Sequence, residues 1–423
     1  MPDRHLPVRP NLEQLKHQAK DLLRELRRGD PAALEDFRKY HPEPLEPADA
    51  RLADAQLVLA RSYQSPSWPR LALACRLIDA IWHDDVDAVR AMVLKYPHIL
   101  HEDARVQRNG SWGPPMSYAA NLGRDRIIEL LHSLGARDHL YAFGRAALQS
   151  KIETARRLHA MMGAVKFTAD ELGGPAYTLS ASGTALLFEL GVKVHDETGR
   201  RVAPVHVVLE TDSRKPREKH QILEMYVKHG LTLPDTPPMA VHRGRIDLLE
   251  QHLRRDAGLL QRTFTFQEIY PPELGCGEDP YPTHGTPLGG ATLLHMCVDY
   301  DEMEIARWLL EKGMNVDAKA AVGGDGFGGH TALFATVVSQ PNLWMNLQDR
   351  PQVAPFTQLL LEHGADPNAR ASLRKQLHPG YGEEALMREY RDVTPLGWGQ
   401  HFHKKIFVSE PAMRLIVERG GHT

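Results

Sequence analysis

The phrase 308-WLLEKGMNVDAK-319 returns further along the chain as 359-LLLEHGADPNAR-370: an apolar helical end, a glycine, then a polar turn. That repetition constrains the fold more than any property of the bulk sequence. A single short helix pair cannot bury its own apolar face, so neighbours must stack, and each copy is written alike because each meets the same neighbour geometry. Within one copy, Ile305, Ala306, Leu309 and Leu310 fall on one helical face. Gly313, Gly364 and Gly135 stand where a helix is stopped.

The unit recurs from about Trp68 to the end: a short helix after a Thr/Pro turn, a second helix, and a Gly-rich close. The best copies are 292-TLLHMCVDYDEMEIARWLLEKGMNVDAKA-320, 331-TALFATVVS-339 with 356-FTQLLLEHGADPNAR-370, and 394-TPLGWGQHF-402 with 410-EPAMRLIVERGG-421. Weaker copies lie at 80–97, 116–138, 143–161 and 239–258, with a shortened and a looser one at 176–196 and 205–235. About nine units result, on a period near ~33 residues. The pattern resembles the ankyrin repeat. Thr292-Leu293-Leu294-His295 and Thr394-Pro395-Leu396-Gly397 stand close to that family's opening T-P-L-H, and Gly364-Ala365-Asp366-Pro367-Asn368 carries its G-A-D-x-N ending. The resemblance implies an all-α, ankyrin-like helical-repeat solenoid. It also implies that His295 bridges its tight turn by hydrogen bonds within and between units.

Residues 1–70 lie outside the pattern and read as a helical leader or cap. Asn11 is an N-cap with Gln14 three residues on, followed by Leu12, Leu15, Ala19, Leu22, Leu23 and Leu26 at helical spacing. Gly29 closes that helix and Asp30-Pro31 opens the next. The expected domains are this leader, degenerate repeats over 71–261, and repeats with long finger insertions over 262–423.

Composition removes several classes of function. Lys plus Arg (51) nearly cancels Asp plus Glu (54), so the net charge of -3 offers no global field for nucleic acid or an anionic membrane. No apolar run approaches a membrane span, and MPDRHLPVRPNLEQLKHQ lacks the apolar core of a secretory signal. Three scattered cysteines, Cys75, Cys276 and Cys297, argue against a disulfide framework and for the cytoplasm.

Function is expected where the array departs from regularity. Insertions at 262–291, 321–330 and 371–393 leave the same edge of the stack, where they would stand side by side as one wall. They are rich in Tyr, Phe, Gly, Pro and His, and loops on a rigid scaffold are where binding concentrates. The expected function is non-catalytic capture of a partner protein on a concave, finger-lined surface by a monomeric chain. Trp112 and Tyr118 are further candidate anchors, but the expected contacts are Tyr270, Tyr281, His284, Phe327, Trp344, Tyr381, Trp398 and His401. Alanine at Tyr270, Tyr281, Phe327 or Trp398 is expected to weaken binding and leave the array folded.

Chemistry has weaker anchors. The run 323-GGDGFGG-329 has no Lys-Ser/Thr and no preceding strand, so it reads as a finger tip rather than a phosphate cradle. His401 and His403 are two apart, the 23 histidines include no H-E-x-x-H, and no metal or other cofactor is expected. Cys276 has no partner base in sequence, and 213-SRKPREKH-220 reads as a solvated basic face. The alternative is an enzyme or small-molecule sensor with a pocket under 262–291 and 371–393, using Asp325, His284, His330, His401 or Glu384.

Overall fold

The computed structural model describes residues 4–106, 112–277, 285–338, 352–376 and 386–423. Contacts divide the chain into two compact units, Met1–Phe167 and Thr168–Thr423, so the leader belongs with the first repeats.

The first unit opens with α1 (Leu12–Arg27), α2 (Pro31–Tyr40) and α3 (Leu52–Ser62). Local chemistry starts them: Asn11 Oδ1 accepts from Gln14 N at 3.0 Å, Asp30 Oδ1 accepts from Ala32 N and Ala33 N, and Pro31 fills a position that has no helical partner for an amide. Leu15, Ala19, Leu22 and Leu26 of α1 meet Ala33 and Phe37 of α2 and Ala55, Val58 and Leu59 of α3. The same core takes in Leu71 and Cys75 of α4 (Trp68–Trp82), so the leader packs directly on the first repeat helix.

Three helix pairs complete this unit: α4 with α5 (Val86–Lys95), α6 (Pro115–Leu122) with α7 (Asp125–Ser133), and α8 (His139–Leu148) with α9 (Ile152–Met162). First helices stack on first helices, α4 on α6 and α6 on α8, while α5 lies on α7.

The second unit carries six more pairs. They are α10 (Gly173–Thr178) with α11 (Ala181–Glu189), α12 (Val205–Glu210) with α13 (Pro216–Lys228), and α14 (Pro237–His242) with α15 (Ile246–Arg255). After the short α16 (Phe266–Ile269) come α17 (Leu293–Tyr300) with α18 (Met303–Glu311), α19 (Ala332–Val337) with α20 (Pro355–Glu362), and α21 (Pro395–His401) with α22 (Glu410–Glu418). Again α14 touches α17, α17 touches α19, and α19 touches α21. The fold is therefore a helical-repeat array with finger insertions. Its regular sheet among the described residues is one hairpin, β1 (Ala371–Lys375) against β2 (Arg388–Val393), which is the third finger.

The repeated phrase has a physical use. Gly364, at φ +85°, stops α20 in a left-handed conformation that a side chain would resist. The polar turn that follows then bonds to its neighbours: Asp317 accepts from Asp366 N at 3.0 Å, and Asn368 accepts from His422 N at 2.8 Å and donates to Gly420 O. At the other end of the unit, His295 Nδ1 faces Thr292 Oγ1 at 2.9 Å and its Nε2–H donates to His330 O at 3.0 Å. One bond lies within its unit and one reaches the next, as the resemblance implied. His330 reaches the other way, its Nε2–H donating to Pro287 O ahead of the Thr292 turn at 3.1 Å.

Both rings are buried and must be neutral, with burial pushing His295 down to about 4 and His330 to about 3. Each therefore supports the fold fully above pH ~6.5, and that support is lost as pH falls through the lowered value. The thermal midpoint should drop between pH 6.5 and 4, with His295 accounting for on the order of 3 kcal/mol. His295→Gln should start lower and fall less steeply; an equally steep loss in that variant would show that the acid sensitivity lies elsewhere.

Candidate functional site

The three insertions stand side by side in the second unit, joined through main-chain hydrogen bonds. Phe264 N donates to Ala291 O and Gly290 N to Phe264 O, closing the base of the first finger. Ala321 N, at the root of the second finger, donates to Gly290 O at 2.8 Å. The second finger folds on itself, Gly323 N to Phe327 O, and passes its Gly328 N to Ser372 O of β1 at 2.7 Å. β1 then pairs antiparallel with β2, Leu373 opposite Tyr390 and Lys375 opposite Arg388, with a bulge between Ala371 and Leu373. Gly328 is obligatory at its crossing: a Cβ there would sit 2.1 Å from Ala321 O, at φ +117°.

Side chains lock the same row. Phe327 lies between two guanidiniums, Arg374 at 4.0 Å and Arg391 at 4.4 Å from its centroid. Arg374 also pairs with Asp325 and Glu389, and Arg391 with Glu389. Asp325 accepts from Phe327 N as well, which makes it an organiser of the finger tip.

Beneath the fingers lies a buried polar cluster. Lys219 of α13 is 3 % exposed; its Nζ donates to His242 Nδ1 at 2.8 Å and lies 3.7 Å from the Tyr300 centroid. His242 Nε2–H donates to Ile269 O at 2.9 Å, fixing the tautomer. The hydroxyls of Tyr270 and Tyr300 are hydrogen-bonded to one another. Arg214 reaches Asp299 at 3.3 Å and lies over the Tyr300 ring. His220 pairs with the buried Glu302 at 2.7 Å. Lys375, at the end of β1, is fully buried, and the carboxylate that offsets its burial is again Asp299. The charge of Asp299 bears on both Tyr270 of the first insertion and Lys375 of the third.

Burial sets the ionisation of this cluster. It pushes Lys219 and Lys375 each down to about 7, Glu302 and Asp299 only partly opposing it. Burial also raises both phenols, so Tyr270 and Tyr300 act as hydrogen-bond donors rather than bases at neutral pH. The Cys276 thiol goes up to about 12, which makes it inert as a nucleophile. Two amines near neutrality beside a carboxylate can hold an anionic or carbonyl ligand, or serve as a buried polar brace.

Several expectations need correction. Tyr270, Phe327 and Trp398 are inward rather than exposed: Trp398 is 0 % accessible, edge-on to Tyr390 at 4.7 Å and Phe402 at 5.0 Å. Alanine there would open a core cavity, so its effect on binding would include destabilisation of the array. Tyr118 is also buried, and Trp112 half-buried against it. His330 and Asp325 are committed to the hydrogen bonds given above and do not meet as acid and base. His401 is exposed at the end of α21, on a groove lined by Arg370, Glu389, Arg391 and Thr394. Tyr281, His284, Trp344, Tyr381 and Glu384 lie outside the described residues.

The basic stretch 213–220 is not a simple solvated face, because Arg214 is mostly covered and Lys219 is interior. One signal was available: Lys219 shares a helical face with Ile222, Leu223 and Tyr226, all buried.

Comparison with known families identifies one of the units. Residues 289–321, which hold α17, α18 and the Thr292–His295 turn, match the family model described as Ankyrin repeat. Residues 289–321 are thus an ankyrin repeat. Among solved structures, the array matches the ankyrin repeat domain of human ASB11 at 16% identity, over 73% of this chain and 99% of that one. The TM-score is 0.25, too low to carry weight on its own. No curated protein matches the sequence. Ankyrin repeats are in general protein–protein interaction modules, and among the described residues no helix is long and apolar enough to cross a membrane.

The array's buried amines have a measurable signature. Lys219 and Lys375 lie near 7 when folded but at an ordinary 10.5 when unfolded, so above pH ~7 the unfolded chain holds more protons and stability rises with pH. The rise should be read between pH 7 and 8, below the ordinary thiol value of 9.0 around which the unfolded cysteines ionise and oppose it. Lys375→Met should flatten it in denaturant titrations; an unchanged slope would mean that Lys375 is solvated.

Proposed function

We propose that the protein is a non-catalytic scaffold that captures a partner protein on the finger-lined face of its second unit. The observation that carries this reading is the hydrogen-bonded joining of three insertions into one wall. A wall fixed by main-chain bonds presents its side chains without first paying to order them. Its outer residues include Val322 at 63% and Leu386 at 54% exposure, with Met387 next to Leu386 in sequence and Arg391 on β2 also exposed. Apolar and arginine groups of this kind suit a protein contact. Of the expected contacts, His401 offers its ring at the surface, while Tyr270, Phe327 and Trp398 support the wall from within. Tyr281, His284, Trp344 and Tyr381 remain proposed contacts. We place the protein in the cytoplasm as a monomer; its three free, buried cysteines support a reducing compartment.

Val322→Asp, Leu386→Asp and Met387→Asp together should leave the melting profile almost unchanged, since exposed positions carry about ±0.5 kcal/mol each. The same variant should lose the partner that the wild-type chain retains in affinity capture, by about tenfold or more. Retention of that partner by the triple variant would place the contact elsewhere.

A second reading is favoured by one observation, the burial of Lys219, Lys375 and Asp299 beneath the insertions. In it, the cluster holds a small anionic molecule. Native mass spectrometry of the chain purified from its own cells should then show a bound species that Lys375→Met loses. A mass equal to that of the bare polypeptide would count against it.

A further inference from the structure

In the first unit, α6 and α8 hold an arginine fork, Arg145, that is aimed by a hydrogen bond and has no ion-pair partner among the described residues. Arg145 of α8 donates through Nε to Asn121 Oδ1 at 2.8 Å. Asn121 is itself fixed, its Nδ2 donating to Ser117 O at 2.9 Å, and Ser117 N donates to Asp138 at 3.0 Å. The guanidinium lies 5.7 Å from the centroid of Trp112, whose ring packs at 4.7 Å on the buried Tyr118. Tyr141, 46% exposed, rests on bare backbone: a Cβ on Gly113 would meet its ring at 2.4 Å.

Many arginines of this chain sit beside acids, such as Arg157 with Glu129 and Arg243 with Glu224. Among the described residues Arg145 forms no ion pair; burial disfavours its charge, Tyr141 partly opposes this, and the charge of Arg105 adds to it. Arg105 donates to Leu6 O at 3.1 Å and has Asp103 beside it, but that carboxylate is not among the groups that bear on Arg145. Two partly desolvated like charges repel, and an arriving anion would relieve that cost.

We propose that this cluster, Arg145 and Arg105 with Trp112 and Tyr141, docks an acidic segment of a partner protein, with the buried Tyr118 supporting Trp112 from below. An Asp or Glu carboxylate meets the two terminal amino groups of Arg145, and the adjoining peptide lies on the Trp112 and Tyr141 rings. Arg145 is suited to this because its Nε is already spent on Asn121, which leaves the planar pair that matches a carboxylate. Phosphate sites usually add backbone N–H groups from a helix start or glycine loop. Here the surroundings are aromatic, the composition of a protein contact. The site is independent of the finger wall, which belongs to the other unit.

The test is selection of a random peptide library on the full chain. Peptides retained by the wild type should be enriched in Asp or Glu at a fixed position next to an aromatic or apolar residue. Arg145→Gln should abolish that enrichment and weaken the selected peptide about tenfold or more, with Arg145→Lys intermediate. Asn121→Ala, which keeps the charge but frees its aim, should weaken it less and covers the case in which Arg145→Gln does not fold. The Val322, Leu386 and Met387 aspartates should leave the enrichment intact, which separates this site from the wall. Absence of acidic enrichment, or enrichment that both Arg145→Gln and Asn121→Ala preserve, overturns the proposal. Displacement of the peptide by inorganic phosphate, but not by chloride at equal ionic strength, would assign the site to phosphate and overturn it as well.

Discussion

Among the described residues, all the repeat helices but α4 and α13, with 15 and 13 residues, are too short to be stable in water by themselves. α17 and α18 have 8 and 9 residues, well short of the ~12–15 at which an isolated helix becomes marginal. Everything else follows from that deficit. Each helix must borrow its stability from a neighbour, so the first helices form continuous rows. The unit boundaries are then bonded by groups that reach across them, such as His295 to His330 O and Asp317 to Asp366 N. Stability in such a row is a sum of neighbour terms, and no single core residue governs the whole.

The fingers add a different kind of bonding. Their roots are joined by backbone groups, which any residue supplies, so their outward side chains can change without undoing the wall. The cluster below is bound the other way, by specific charged and aromatic side chains. Buried ionic groups of this sort add little net stability over apolar packing, yet removing one partner is costly. The wall therefore tolerates variation and the cluster resists it.

Much of the frame was legible in the sequence because it is local. Asn11, Asp30-Pro31, Gly364 and the Thr292–His295 turn each announce their role through neighbours a few residues away. The site was less legible because it depends on contacts between distant segments. Tyr270 and Trp398 sit in or beside polar, Gly-rich stretches that read as surface, yet the folding of each finger turns their rings inward. The basic letters around Lys219 outweighed its helical spacing, and Lys375 was hidden in an insertion whose alternation shows only once β2 is known to pair with it.

The leader offers a last consequence. Because Leu71 and Cys75 of the first repeat helix share a core with α1 and α3, the segment before residue 70 is not a detachable tag. It closes one end of a row that would otherwise finish in a raw apolar face, doing for this array what a lid does for an open vessel. Shortening the chain from that side would leave a sticky stump, and two such stumps would seek each other.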